Sequence, residues 1–440
     1  MDEAKPGINL SAYLTKLESA VPARVLGRVR EVTGLVIQAT VPGVSVGELV
    51  ELSGPPTPVL AQVVGFRDER VVLMPFGEIE GIGPDSTVKA TGRPLMMRCG
   101  PGLLGRVLDG LGRPMDDRGP LDGELHPWRV ERAAPLAMAR RRIEEPFETG
   151  VRAVDGLLTM GQGQRVGLFA GSGVGKSTLM GQIARSAEAD VVVIGLVGER
   201  GRELREFIDE SLGPAGLERA VVVCATSDEP SLMRSNAAQV ATAVAEYFRE
   251  QGQRVLLMMD SLTRFARAQR EIGLAAGEPP VRRGYPPSVF RALPRLLERA
   301  GNSDRGSITA LYTVLVEGDD LDEPIADEAR AILDGHIVLD RSIAERARWP
   351  AIHINSSISR VMRRVVDAEH LEAANAFRRS LAAYESKRTL ISLGAYRRGS
   401  DPEVDEAMDI IFEVEEFLQQ RADARCPMTE TVELLLDLFG

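Results

Sequence analysis

The stretch that most limits what this chain can become is Ala170-Gly171-Ser172-Gly173-Val174-Gly175-Lys176-Ser177-Thr178. An apolar run, Val166–Phe169, precedes it, and Leu179, Met180, Ile183 and Ala184 follow at helical spacing, so the local order is strand, glycine loop, helix. Glycines let such a turn approach a polyphosphate closely enough for its backbone N–H groups to point inward. Lys176 can then reach the β- and γ-phosphates, and the Ser177 hydroxyl can take one Mg²⁺ position. A glycine-rich turn that merely ends in Lys-Ser is the alternative. The strand and helix around it favour a nucleotide loop, with the anion at the helix N-terminus and residues Gly171 to Thr178 as the cradle.

Around that loop, strand-like runs alternate with helical ones: Val166–Phe169, Val191–Val197, Val221–Cys224, Val255–Met259, Ile308–Val316 and Ile337–Leu339. Alternation of this kind predicts an α/β domain with a parallel sheet covered on both faces, whose ligand lies beyond the carboxyl ends of the strands. At 440 residues there is room for further domains on either side. From about Val21 to Ala90, short valine-rich runs are cut by Gly and Pro every eight to twelve residues, which reads as a small antiparallel barrel or sandwich. Before it, Leu10, Tyr13, Leu14 and Leu17 form a one-sided apolar stripe on a short helix, packed on its own domain or docking to another protein. Gly100 to Arg142 reads as a connecting segment. Beyond about residue 365 strand signals fade and a small helical domain is expected, with Gly394 and Gly399 breaking helices and Asp401-Pro402 starting one.

The net charge of −11 excludes bulk electrostatic coating of nucleic acid, and the barrel lacks the aromatic-plus-basic interleaving of a single-strand platform. Cys99, Cys224 and Cys426 are too dispersed for a metal set or a disulfide framework, which points to a reducing cytoplasm. The first residues do not form a signal peptide, and no apolar run reaches the roughly 18–20 residues that span a bilayer. Membrane attachment is therefore expected to come through a partner.

Three further places carry chemistry. Val255–Met259 ends in Asp260, an acid placed to hold the Mg²⁺ shell. Glu199, in Gly198-Glu199-Arg200-Gly201-Arg202-Glu203, follows another strand, where a carboxylate can orient the attacking water; a solvated helix start is the alternative. Arg360 closes Asn355-Ser356-Ser357-Ile358-Ser359-Arg360 and is one of many arginines that could meet transition-state charge.

Together with Thr149–Leu158, Gly284-Tyr285-Pro286-Pro287-Ser288-Val289-Phe290, Glu317–Asp320, Pro324–Asp327 and Ile332–Leu339, these strings resemble the ATPases of type III protein export, flagellum-specific and injectisome alike, which are relatives of the catalytic subunit of rotary ATP synthases. The resemblance runs from about residue 20 to the C-terminus. It implies a RecA-like ATPase domain (93–368) with a docking helix (1–20) and a barrel (21–92) before it and a helical domain (369–440) after it. It implies ATP and Mg²⁺ as ligands, and a homohexamer with sites between subunits. Catalysis would fall to Lys176 and Glu199, with Arg200 and Glu203 in support and Arg360 reaching the next subunit's site. Ser177, Asp260 and Glu203 would serve the metal. Trp349 would stack on adenine.

As partners the resemblance implies a stalk-like regulator at the N-terminal helix, a central-stalk protein at the pore loop Gly277–Pro287, a membrane export gate, and substrate–chaperone complexes, with no nucleic acid. The chain would be cytoplasmic and peripheral to the inner membrane. One departure is His353, where the family has an acid in an aromatic-Pro-Ala-Ile-Asp string; a structural histidine is the favoured reading. A rotary-synthase catalytic subunit is disfavoured by the Gly284–Phe290 and Leu333–Leu339 strings, and an RNA-translocating helicase by an acidic chain whose barrel offers only Phe66 and Phe76 as aromatics. Gly394-Ala395-Tyr396 with Gly399–Pro402 leans towards the flagellar branch without separating the two.

Overall fold

The structure, a computed structural model, describes residues 26–54, 57–316, 320 and 322–440. The apolar stripe at residues 8–20 and most of Glu317–Asp320 lie outside them. Chain contacts divide it into two units, with the boundary between Pro94 and Leu95.

In the first unit, alternation with a period of two makes six antiparallel strands, β1 (Leu26–Thr33), β2 (Val36–Thr40), β3 (Glu48–Leu52), β4 (Val59–Arg67), β5 (Arg70–Pro75) and β6 (Thr87–Pro94). They close into a barrel in the order β1-β2-β5-β4-β3-β6. Register breaks at Val29/Glu31, Glu48/Val50 and Val63/Gly65 supply the local bends that closure needs. Val29, Ile37, Leu52, Val63 and Leu73 point inward and are fully buried, each worth roughly 1.5–3 kcal/mol relative to exposure.

The second unit is built on a sheet of β7 (Val107–Leu108), β8 (Arg165–Ala170), β9 (Val191–Glu199), β10 (Ala220–Thr226), β11 (Arg254–Asp260), β12 (Ser307–Leu315), β13 (Gly335–Leu339) and β14 (Ile358–Ser359). Their order is β14-β13-β8-β12-β11-β9-β10-β7, parallel except where β14 runs antiparallel to β13. All nine residues of β9 are buried, as in a sheet covered on both faces. The segment from Gly100 to Arg142 is more than a connector. Its Val107 and Leu108 pair in parallel with Val222 and Val223 to form the sheet's edge, and His126–Arg129 pairs with Met96–Cys99. Two- and four-residue strands carry no readable periodicity, which is why the sequence shows them only as loop.

Eight helices matter for the site and its supports: α1 (Lys176–Ser186), α2 (Ser231–Glu250), α3 (Leu262–Ala275), α4 (Pro287–Leu297), α5 (Pro324–Ile332), α6 (Ala368–Ser392), α7 (Pro402–Leu418) and α8 (Met428–Phe439). The last three form the expected helical segment, where Phe377 meets Phe417 and Phe439 with ring centroids 5.2 and 5.4 Å apart. Gly394 and Gly399, with φ of 67° and 88°, turn the chain between α6 and α7, and Pro402 opens α7. The helical segment packs on the rest of the unit, where the His370 Nε2–H donates to the Gly156 carbonyl over 2.8 Å. Among the described residues no helix is long and apolar enough to cross a membrane.

Candidate active site

Strand β8 delivers the chain to the glycine loop at its carboxyl end, and α1 begins at Lys176. Gly173 and Gly175 have φ of 78° and 81°, the left-handed region that side chains with a Cβ avoid. Gly175 is the N-cap of α1 and no side chain caps that end, so the first-turn N–H groups face the loop. Val174 is buried and anchors the loop, whereas Ser172, Gly173, Ser177 and Thr178 are exposed on its rim. The Arg341 side chain reaches the Ser172 carbonyl at 3.5 Å.

Two acids meet Lys176 there. Asp260 ends β11 and is only 3% exposed; both its carboxylate oxygens accept from Lys176 Nζ at 2.5 Å, and the Thr313 hydroxyl donates to Oδ1 at 2.7 Å. Glu199 ends β9 and is 8% exposed; its Oε1 lies 3.5 Å from Lys176 Nζ and also pairs with Arg264, in the first turn of α3. Its Oε2 is buried with no hydrogen-bond partner. A buried acceptor without a donor is costly unless something arrives to satisfy it. Beside it, the neighbouring Glu199 carboxyl first, and then the charges of Arg200, Arg264 and Lys176, hold the Glu203 carboxyl below the ordinary glutamate range. Arg200 is exposed and pairs with Glu203 at 3.3 Å. Glu203 thus faces Glu199 and Arg200; no hydrogen bond or ion pair among the described residues joins it to Asp260 or Ser177.

Trp349 lies across the loop, so close that a Cβ on Gly175 would meet its ring at 2.7 Å. Its ring forms one wall of a cavity of about 670 Å³, with Gly175, Thr178 and Gln182 on one side and residues Gln419 to Asp423 on the other. This second wall comes from the segment between α7 and α8 and was not legible as a site in the sequence. It is tied to the loop helix: Gln182 Nε2 donates to the carbonyls of Arg421 and Ala424, and Arg185 to that of Ala422. Gln420 bridges further, receiving the Arg152 N–H and donating to the Gly150 carbonyl. Asp155 in turn fixes Gly150 by accepting its N–H and the Thr149 N–H and hydroxyl.

Arg360 stands apart. Strand β14 pairs Ser359 with Gly335, at the start of β13, while Leu339, at its end, pairs with Ala170 beside the loop. Four residues of strand therefore separate the two levels, about 13 Å. Arg360 lies at the amino edge of the sheet, exposed, its guanidinium donating to the Arg330 carbonyl at 3.0 Å. The loop, Glu199 and Asp260 follow the ends of parallel strands, whereas Arg360 follows β14, which runs antiparallel to β13, and so lies at the opposite level of the sheet. His353 serves as a cap: its Nδ1 accepts the Ser356 N–H at 3.1 Å and closes the short turn Ile354–Ser356, as an aspartate would.

The sequence signature of the ATP synthase alpha/beta family, nucleotide-binding domain, matches residues 150–359, and that of the same family's beta-barrel domain matches residues 29–92. The C-terminal domain signature of the type III secretion ATPase EscN matches residues 366–437. The chain is 53% identical over 417 residues to the flagellum-specific ATP synthase of Bacillus subtilis (strain 168), spanning 94% of this chain and 95% of that one. It is 54% identical over 423 residues to the type 3 secretion system ATPase of Xanthomonas euvesicatoria, spanning 96% and 95%. The chain belongs to the type III secretion and flagellum-specific ATPases. The assembled ATPase EscN of the enteropathogenic E. coli type III secretion system superposes on this export ATPase with a TM-score of 0.89 at 46% identity, covering 94% of this chain and all of the other. EscN in complex with its central stalk EscO gives 0.87 at the same identity and coverage. Identities of 53% and 54% to one protein of each branch leave the flagellar and injectisome branches of these export ATPases unseparated.

Proposed function

We propose that this export ATPase hydrolyses ATP in a site that two copies complete, and that the ring so formed drives release and unfolding of export substrates and their chaperones at a membrane export gate. The observation that supports this most is the split of the site: the loop, Asp260 and Glu199 gather at one edge of the sheet, and Arg360 lies at the other, out of reach of its own Lys176. The triphosphate lies along the loop N–H groups and the first turn of α1, with its base against Trp349 in the cavity closed by Gln419 to Asp423. Lys176, which pairs with Asp260 and Glu199, turns to the β- and γ-phosphates.

Ser177 and Asp260 offer a hydroxyl and a carboxylate oxygen of the hard type that Mg²⁺ takes, and would hold it at the phosphates, where it neutralises developing charge. Glu199 orients the attacking water with Oε2, the oxygen that lacks a partner, while Arg264 keeps Oε1. Glu203 and Arg200 support Glu199. A neighbouring copy's equivalent of Arg360 meets the charge that builds on the γ-phosphate. EscN has been solved with its central stalk EscO, and the loop Gly277–Pro287, where Val281 is well exposed, is the proposed contact for such a stalk here. Residues 1–20 are the proposed contact for a stalk-like regulator. The chain would work in the cytoplasm, held to the inner membrane by the apparatus.

The test mixes two inactive chains, Lys176→Ala and Arg360→Ala. Mixed rings contain interfaces that pair an intact loop with an intact arginine, so part of the activity returns. A mixture that stays inactive, with mixed rings verified by mass, rejects action between copies.

A further inference from the structure

Arg378, on the C-terminal helix α6, is half-buried and meets no carboxylate among the described residues. Its guanidinium is spent on three backbone carbonyls. Nη1 donates to Ile354 at 3.1 Å and Ser357 at 3.2 Å, and Nη2 to Leu157 at 2.8 Å. Burial alone pushes its pKa below the ordinary arginine value. A buried cation held only by neutral dipoles is a costly way to fill space, and an apolar side chain of similar volume would fill it at lower cost.

The carbonyls it holds are informative. Ile354 and Ser357 bracket the turn that His353 caps, and Arg360 follows Ser357 by three residues. The far end of this segment is pinned separately, by the Arg360 N–H on the Asp334 carbonyl at 3.0 Å and by the Ser359 hydroxyl on the Thr159 carbonyl at 2.8 Å. Among the described residues, the Arg360 guanidinium bonds only the Arg330 carbonyl. Its direction is therefore set by the segment that carries it, and among the described residues Arg378 is the one side chain of the helical segment that bonds the turn behind it.

We infer that Arg378 is a positioning residue for Arg360, so that α6 of one copy sets the arginine that this copy offers to the next copy's ATP. The inference rests on the reading of Arg360 as acting between copies. It makes the helical segment a lever on the neighbouring site: a partner that displaces α6 changes turnover in the adjacent copy, not in its own.

Arg378→Gln should lower turnover by about 10²-fold, the scale of a misplacement of about 1 Å, while affinity for a fluorescent Mg-nucleotide stays unchanged. The deciding readout is which inactive chain it rescues. Mixed with Lys176→Ala, Arg378→Gln should regain activity, because its own loop is intact and receives a well-placed arginine. Mixed with Arg360→Ala it should not, because neither chain then offers a placed arginine. Recovery with Arg360→Ala, no recovery with Lys176→Ala, or full turnover of Arg378→Gln alone each overturns the inference. The Lys176→Ala and Arg360→Ala mixture runs beside them, and its failure instead removes the reading on which the inference stands. Arg378→Lys, which keeps the cation but reaches fewer carbonyls, should lose less turnover and fall in the same rescue group. It carries the same test if the glutamine variant fails to form rings.

Discussion

The charged side chains around the loop and the two guanidiniums around the Ile354–Arg360 segment are held in opposite ways. At the carboxyl edge, Lys176, Asp260, Glu199 and Arg264 neutralise one another, with contacts of 2.5 Å between Lys176 and Asp260. Among the described residues, the Arg360 and Arg378 guanidiniums meet carbonyl oxygens only. Charges that cancel within one chain can exchange an internal partner for a phosphate bound to that chain. Cations held by dipoles keep their full charge available. The first arrangement suits groups that act on a ligand bound to the same chain, the second a group offered to an anion on another.

The sharpest way to break this contrast is to remove one cation from each edge. Arg360→Ala should lower turnover by about 10³-fold or more with nucleotide affinity nearly intact, whereas Lys176→Ala should lose affinity as well. Equal loss of affinity in both variants, measured by equilibrium titration, would place Arg360 at its own chain's loop. Glu199→Gln comes next. It keeps the shape of the site but neither polarises water nor pairs with Arg264, and single-turnover hydrolysis should fall by about 10²-fold or more while binding persists. Near-normal hydrolysis would take Glu199 out of the mechanism.

Smaller effects test the two supports. Trp349→Ala removes one wall of the base cavity, and the loss of an aromatic contact of about 0.5–1.5 kcal/mol should weaken nucleotide binding a few-fold to tenfold, with turnover at saturation little changed. An unaltered dissociation constant would mean that the base lies elsewhere. The smallest concerns the turn behind Arg360. His353→Asp keeps a cap acceptor and should hold activity within about twofold, whereas His353→Ala loses a cap bond of roughly 1 kcal/mol and should cost about fivefold in turnover. Identical kinetics for the two variants would show that the cap does not matter to Arg360.

The sequence makes one edge far more legible than the other, for a physical reason. The loop, Glu199 and Asp260 are local signals, each an apolar strand that ends in a side chain of defined chemistry. The barrel is equally legible, because Val29, Ile37, Val63 and Leu73 repeat the period of a half-buried strand. Arg264, Arg378 and the segment Gln419–Asp423 give no such signal. What they touch is decided by tertiary contact, and for Arg378 and Gln182 the acceptors are backbone carbonyls, which every residue carries alike. The same holds for β7, two residues long and a strand only because β10 lies beside it. The role of Arg360 is implied by resemblance to relatives, not by spacing, and its placement was not legible, since nothing in a run of small polar residues says which end of a sheet it will reach.

The contact between Trp349 and Gly175 has an optical consequence. The chain has two tryptophans. Trp128 is half-buried, with Tyr247 edge-on at 5.5 Å and the Arg132 guanidinium 4.1 Å above its ring. Trp349 is 40% exposed and forms a wall of the cavity that the base would enter. With Trp128→Phe as the background, the remaining indole becomes a built-in fluorophore whose emission reports each loop's occupancy directly. A titration of that signal would count filled sites around a working ring without a labelled nucleotide.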